Sequence, residues 1–211
     1  MTAQEIIANP ELEGLEVSGL TRSSFILRGA LAAGAVYGTT LVGPVVSQAL
    51  AETGGGDAEI LNFALTLEYL ESAFYNEKGK EVNLTGTAKS YAAMFGAQEA
   101  EHVAALTSAI KSLGGTPVAK PQFVFPVSNE KSFLALASVL ENTGVGAYNG
   151  AAPSLSSKEV LATAGSIVQI EGRHAAAIDL LINRSPTPNG GFDVPLTKEQ
   201  VLKKIGPLVK K

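Results

Sequence analysis

The chain has 211 residues, 45% of them hydrophobic and only 17% charged, which gives ample material for a core and little for a heavily charged surface. Its formal net charge is −4 with no run of Lys or Arg longer than two, so it lacks the electrostatic footprint of a nucleic-acid binder. Cysteine is absent, which excludes disulfides, thiolate metal sites, iron–sulfur clusters and a cysteine nucleophile.

Residues 1–51 read as an export leader. An uncharged stretch over 29–51, rich in Ala, Gly, Val and Leu, follows Arg22 and Arg28. It ends in Ala49-Leu50-Ala51, the small-x-small pattern that a signal peptidase accepts. Thr21-Arg22-Ser23-Ser24-Phe25-Ile26-Leu27 resembles a twin-arginine signal in which Ser23 stands where the second arginine belongs. The competing reading is an uncleaved anchor, since 23 uncharged residues just suffice to span a bilayer. Pro44 and the small residues before it make a poor anchor, so the expectation is cleavage and a periplasmic or extracellular chain with no stable membrane span.

Behind Gly54-Gly55-Gly56, Asp57 is placed as the N-cap of a first helix over about 57–78, with Glu59 in its first turn. A second helix runs from about Thr87 to Leu113 and stops at Gly114-Gly115. Pro117, Pro121 and Pro126 then surround an extended Phe123-Val124-Phe125, making 115–129 a long non-helical connection. The third helix covers about 130–149, ended by Gly150 and Pro153. The fourth opens with the capping-box pattern Ser156-x-x-Glu159 and reaches about Asn183. A short amphipathic helix over 197–205, with Thr197 and Gln200 at its start, lies in a C-terminal extension of residues 186–211. The expected fold is all-α: a four-helix bundle over 52–185 with a long crossover between its second and third helices.

The chain contains two histidines, and each follows a glutamate by three residues: Glu99-Ala100-Glu101-His102 and Glu171-Gly172-Arg173-His174. Residues three apart share a helix face, so each pair can offer a carboxylate and an imidazole to one ion. One such motif is weak, but two on separate helices with no other histidine are a strong signal. Glu141 is the single charge between Lys131 and Lys158, on a helix otherwise apolar, where a lone carboxylate is costly to bury unless paired or bound. On the first helix the candidates are Glu68 and Glu71. Glu68 is singled out because Tyr75 follows it by seven residues, as Tyr148 follows Glu141.

These spacings form an internal repeat, Glu-x6-Tyr and then Glu-x-x-His about thirty residues on, recurring at an offset of 72 or 73. A helix hairpin paired with its own copy brings Glu68, Glu99, His102, Glu141, Glu171 and His174 around a pseudo-two-fold axis, the arrangement of a dimetal carboxylate bundle. Four carboxylates balance two divalent ions, and the donor set suits Fe, Mn or Zn, with Fe or Mn favoured for a paired redox centre.

With these residues, together with Leu61-Asn62-Phe63-Ala64-Leu65-Thr66-Leu67-Glu68-Tyr69-Leu70-Glu71 and Phe74-Tyr75, the chain resembles the ferritin-like superfamily over about 57–184. The likeness is to its secreted, desiccation-related branch, with a ligand pattern similar to that of rubrerythrin and manganese catalase. The resemblance implies the six named residues as ligands of two Fe or Mn ions, and Tyr75 and Tyr148 as hydrogen-bond donors to the ligating carboxylates. Without cysteine the chain carries no rubredoxin-type electron donor. The competing reading of both tyrosines is plain core packing. Glu71 reads as a solvent-facing or helix-stabilising residue, with an extra ligand as the alternative; Gly144 stands at the matching position of the second hairpin, so such a ligand would come from one side only. Glu101 and Arg173 read as surface charges, and Gly144, Gly146 and Gly150 as sites of close helix approach or fraying.

Two functions follow. One is an oxidase, peroxidase or catalase acting on O2 or peroxide. The other is a non-catalytic, metal-stabilised stress or desiccation-related structural protein. Iron storage in a cage is a weaker third, and the reading admits a homodimer.

Overall fold

Apolar residues at three- and four-residue steps build four long helices and one short one. The structure is a computed structural model that describes residues 56–210; the expected leader and its cleavage signal lie outside the described residues. Helix α1 spans Asp57–Ala73 and continues through a π-helical turn, Phe74–Lys78, and a last helical turn, Gly79–Glu81. Helix α2 is Gly86–Ser112, α3 Glu130–Ala151, α4 Lys158–Leu181 and α5 Lys198–Ile205.

The helix ends follow local chemistry, with two corrections. Asp57 does not cap its own helix, whose N-cap is Gly56. Its carboxylate instead accepts from the backbone N–H groups of Ser156 and Ser157, both at 2.7 Å, and so clasps the start of α1 to the start of α4. Ser156 is correspondingly not the cap of α4. That role falls to Ser157, whose hydroxyl accepts from the Val160 N–H at 3.2 Å and donates to the Glu159 carboxylate at 2.9 Å. The capping box of Thr197 and Gln200 forms as expected. So does the stop of α2, where Gly114 takes the left-handed conformation (φ 77°) and the Gly115 N–H closes onto the Ile110 carbonyl at 2.9 Å.

Two buried apolar clusters reveal the direction of each helix. One holds Leu70 and Phe74 of α1, Ala88 and Phe95 of α2, Phe133 and Leu140 of α3, and Ile178 of α4. The other holds Leu61 and Leu65 of α1, Leu106 and Ile110 of α2, Tyr148 of α3, and Val160 and Ile167 of α4. The chain therefore runs from the second cluster to the first along α1 and α4, and from the first to the second along α2 and α3. Helix α1 packs chiefly on α2 and α3 on α4, so the bundle is two antiparallel hairpins whose inner helices, α2 and α3, run the same way. Residues 113–129 must return the length of the bundle to achieve this, which is why the connection is long.

That crossover is fastened at both ends. The buried Asn62 side chain donates to the Thr116 carbonyl at 3.1 Å and accepts from the Val118 N–H at 2.8 Å. Farther on, Phe123 forms an antiparallel bridge with Val209, flanked by backbone bonds from Val124 to Leu208 and from Lys210 to Gln122. The C-terminal extension thus packs on the bundle, with Val201 and Ile205 of α5 buried in the first cluster. Among the described residues, no helix is long and apolar enough to cross a membrane.

Gly146 and Gly150 serve this extension and not a helix–helix contact. The Leu196 N–H donates to the Gly146 carbonyl at 2.8 Å, and a Cβ on Gly150 would stand 2.0 Å from the Leu196 carbonyl oxygen. Gly150→Ala is expected to detach or strain the extension and lower Tm by roughly 5–10 °C, as for an overpacked site. Gly165→Ala on α4, where a Cβ meets nothing within 4 Å, is expected to leave Tm unchanged or raise it slightly. Thermal melts of the two variants beside the wild type check both.

Candidate metal centre

Midway along the bundle, where both apolar clusters end, each long helix turns charge inward. Glu68 (α1), Glu99 (α2), Glu141 (α3) and Glu171 (α4) are fully buried, with His174 at 2% exposure and His102 at 8%. The structure brings all six together as two groups that could each hold a metal ion. Glu68, Glu99, His102 and Glu171 make one, and Glu99, Glu141, Glu171 and His174 the other, with the ligand atoms of each group within 4.8 Å of one another. Glu99 and Glu171 belong to both.

The atomic arrangement follows the internal repeat. His102 Nδ1 lies 3.0 Å from Glu171 Oε1, 3.1 Å from Glu99 Oε2 and 3.2 Å from Glu68 Oε2. His174 Nδ1 lies 3.0 Å from Glu99 Oε1 and 3.4 Å from Glu141 Oε2, without forming a hydrogen bond to either. Glu99 thus presents one oxygen to each imidazole. Separations near 3 Å are those of neighbouring donors around one ion bound at about 2.0–2.2 Å.

The tyrosines cross between the repeats. Tyr75 donates to Glu141 Oε1 at 2.5 Å, and Tyr148 donates to Glu68 Oε1. Each bond occupies the outer oxygen of its carboxylate and leaves Oε2 facing an imidazole. Tyr75 reaches its partner from the π-helical turn that follows Ala73; such turns recur at functional sites because they re-aim side chains, and no pattern in the sequence announces this one.

Glu71 corrects the sequence reading. It is 2% exposed, not solvent-facing, and lies against Gly144, whose missing Cβ would sit 3.3 Å from Glu71 Oε1 and 3.4 Å from Glu171 Oε2. Position 144 corresponds in the repeat to position 71, so the glycine of one hairpin makes room for the glutamate of the other. The signal lay in that pairing and in the three-residue step from Glu68. Gln98 was also missed as a site residue: its Oε1 lies 2.7 Å from His174 Nε2. Glu101 and Arg173 are exposed, as expected.

Among the described residues, the buried side-chain atoms without a hydrogen-bond partner are Glu71 Oε2, Glu99 Oε1, Glu141 Oε2, both carboxylate oxygens of Glu171, and His174 Nδ1. All belong to this cluster. Unpartnered buried polar atoms are rare and costly, and their convergence here, with hard oxygen and imidazole donors, fits a transition-metal pair.

In the metal-free state the cluster must hold protons. Burial pushes the Glu68 carboxyl up to about 8 against the opposing pull of His102. Burial also raises Glu71, Glu141 and Glu171, reinforced by neighbouring carboxylates. Burial alone would lower the imidazoles, but the carboxylates outweigh it and push His102 to about 12 and His174 to about 9. Glu99 is the exception: burial would raise it, yet the two imidazoles beside it hold it at about 2. Burial lifts both tyrosine phenols, which stay neutral donors.

Besides the two phenols, four carboxyls and two imidazoles therefore bind protons more tightly folded than unfolded, and a folded state that holds more protons loses stability as pH rises. Their contribution is complete below the unfolded carboxylate value of 4.5 and is lost as pH climbs through 8 and 9, while Glu99 acts oppositely below 4.5. The Tm of the metal-free protein is expected to fall by at least roughly 5 °C between about pH 5 and pH 9. Metal-loaded protein should show a flatter profile because bound ions replace the protons. Calorimetry across that range checks both curves.

A search of curated proteins finds no matching relative. A family model described as a ferritin-like domain matches residues 56–184, which takes in all four long helices and every residue of the cluster. With the hairpin topology and the buried carboxylate–histidine group, this match shows that the chain belongs to the ferritin-like domain family.

Proposed function

We propose that the chain is an exported dimetal-carboxylate protein that binds two Fe or Mn ions and acts on dioxygen or peroxide. The observation that carries this reading is the convergence of unpartnered buried atoms on one volume. Glu99 and Glu171, common to both groups, would serve both ion positions. Glu68 and His102 would complete one position, Glu141 and His174 the other.

Glu71 adds a fifth carboxyl beside the four proposed ligands; burial and the neighbouring Glu171 and Glu141 raise it, so the other four carboxylates balance two divalent ions. Iron and manganese supply electron exchange with dioxygen or peroxide when bound. The chain's own residues hold the carboxylates in place through Tyr75 and Tyr148 and exclude bulk water by burial. A small apolar cavity is lined by Ile60, Phe63, Ala64, Ala147, Ala151 and Tyr148. Export is supported by the leader-like residues 22–51, and the secreted, desiccation-related branch by the wording of α1.

One observation favours a second reading. The centre is closed except at His102, as suits ions that stabilise a bundle without turnover. Metal analysis by plasma mass spectrometry on protein purified without chelator, with peroxide and oxygen consumption assays, separates the two. About two Fe or Mn per chain, lost in a Glu141→Ala/His174→Ala double variant and accompanied by turnover, is the expected result. Bound metal with no turnover favours the structural role, and absence of metal from the wild type overturns both.

A further inference from the structure

The two halves of the cluster are unequal at their imidazoles. His174 is held on its face by the stacked Phe95 ring, with centroids 3.9 Å apart at 24°, and on its edge by Gln98, half-buried on α2. Gln98 stands four residues before His102. Four residues before His174 stands Ile170, which offers no acceptor, so the repeat does not supply His102 with the same partner. Among the described residues, none accepts from His102 Nε2, and His102 is the more exposed of the two rings at 8% against 2%.

Resting on the dimetal reading, we propose that Gln98 is a positioning residue that makes the two ion positions unequal: the position at His174 fills first and holds its ion, and the position at His102 exchanges. A neutral imidazole carries one proton, and an ion at Nδ1 requires that proton on Nε2. Gln98 Oε1 accepts from Nε2–H and keeps the proton on that nitrogen when Nδ1, turned toward Glu99 and Glu141, yields its own to an ion. His102 must select its tautomer and fix its ring as the ion binds. Partners that orient a ligating histidine in this way commonly change metal affinity by about 10–100-fold.

The test titrates the metal-free full chain with Mn2+, reading free ion by electron paramagnetic resonance, and with Co2+, reading visible absorption. Two binding steps separated by at least about tenfold are expected. Gln98→Leu should weaken the tighter step by about 10–100-fold and leave the other unchanged, while Gln98→Glu, which keeps an acceptor, restores two steps. The Nε2–H proton resonance of His174 in zinc-loaded protein should be protected from exchange in the wild type and lost in Gln98→Leu. Equal steps in the wild type, unchanged steps in Gln98→Leu, or a parallel weakening of both steps overturns the assignment. A wild type that binds no ion overturns the dimetal reading itself.

Discussion

Five carboxylates and two imidazoles share one water-poor volume at the middle of the bundle, and the remaining structure is arranged around that burden. Ionised groups without solvent are destabilising by several kcal/mol each unless paired, protonated or bound to a cation. The fold meets this in layers. Apolar clusters close the volume at both ends, tyrosines take the outer oxygens of Glu68 and Glu141, and imidazoles face the inner ones. Four helices are needed because no single helix can aim more than two or three side chains at one point. The crossover is long because the two Glu-x-x-His helices, α2 and α4, must run in opposite directions through the same layer.

Much of this was legible in the residues themselves. Two Glu-x-x-His motifs without other histidines, and a lone Glu141 on an apolar helix, mark inward charge by chemistry alone. The thirty-residue spacing in each half then locates Glu68. What stayed hidden depends on partners distant in sequence. Asp57 looks like a cap until the N–H groups of Ser156 and Ser157 arrive beside it. Glu71 looks like a surface residue because its helix is amphipathic only weakly, being covered on more than one side, by α2 and by α3. The π-helical turn at Phe74 is a backbone response to packing and leaves no mark on the composition. The sequence of residues 186–211 leaves open whether they pack on the bundle or bind a partner, since the contact that fixes Leu196 depends on the bare surface of two glycines on α3.

The closed site also bears on how function and folding are coupled. On the dimetal reading, protons and metal ions would compete for the same carboxylates, and folding would be linked to metal supply. Catalysis would require small molecules to reach a centre whose walls are almost wholly apolar, whereas a structural ion would be protected by those same walls. The geometry of one cluster therefore serves either role, and what divides them is access and electron exchange.

The lodging of Glu71 against Gly144 has a consequence for symmetry. Two identical hairpins, associating as separate chains, would carry the same residue at both of these positions. Two glutamates would compete for a space that holds one, and two glycines would leave a hole beside charged groups. Joining the hairpins in a single polypeptide releases them from this equality. Each half can then diverge at one place to accommodate the other, and a centre built from a repeat can possess a left and a right.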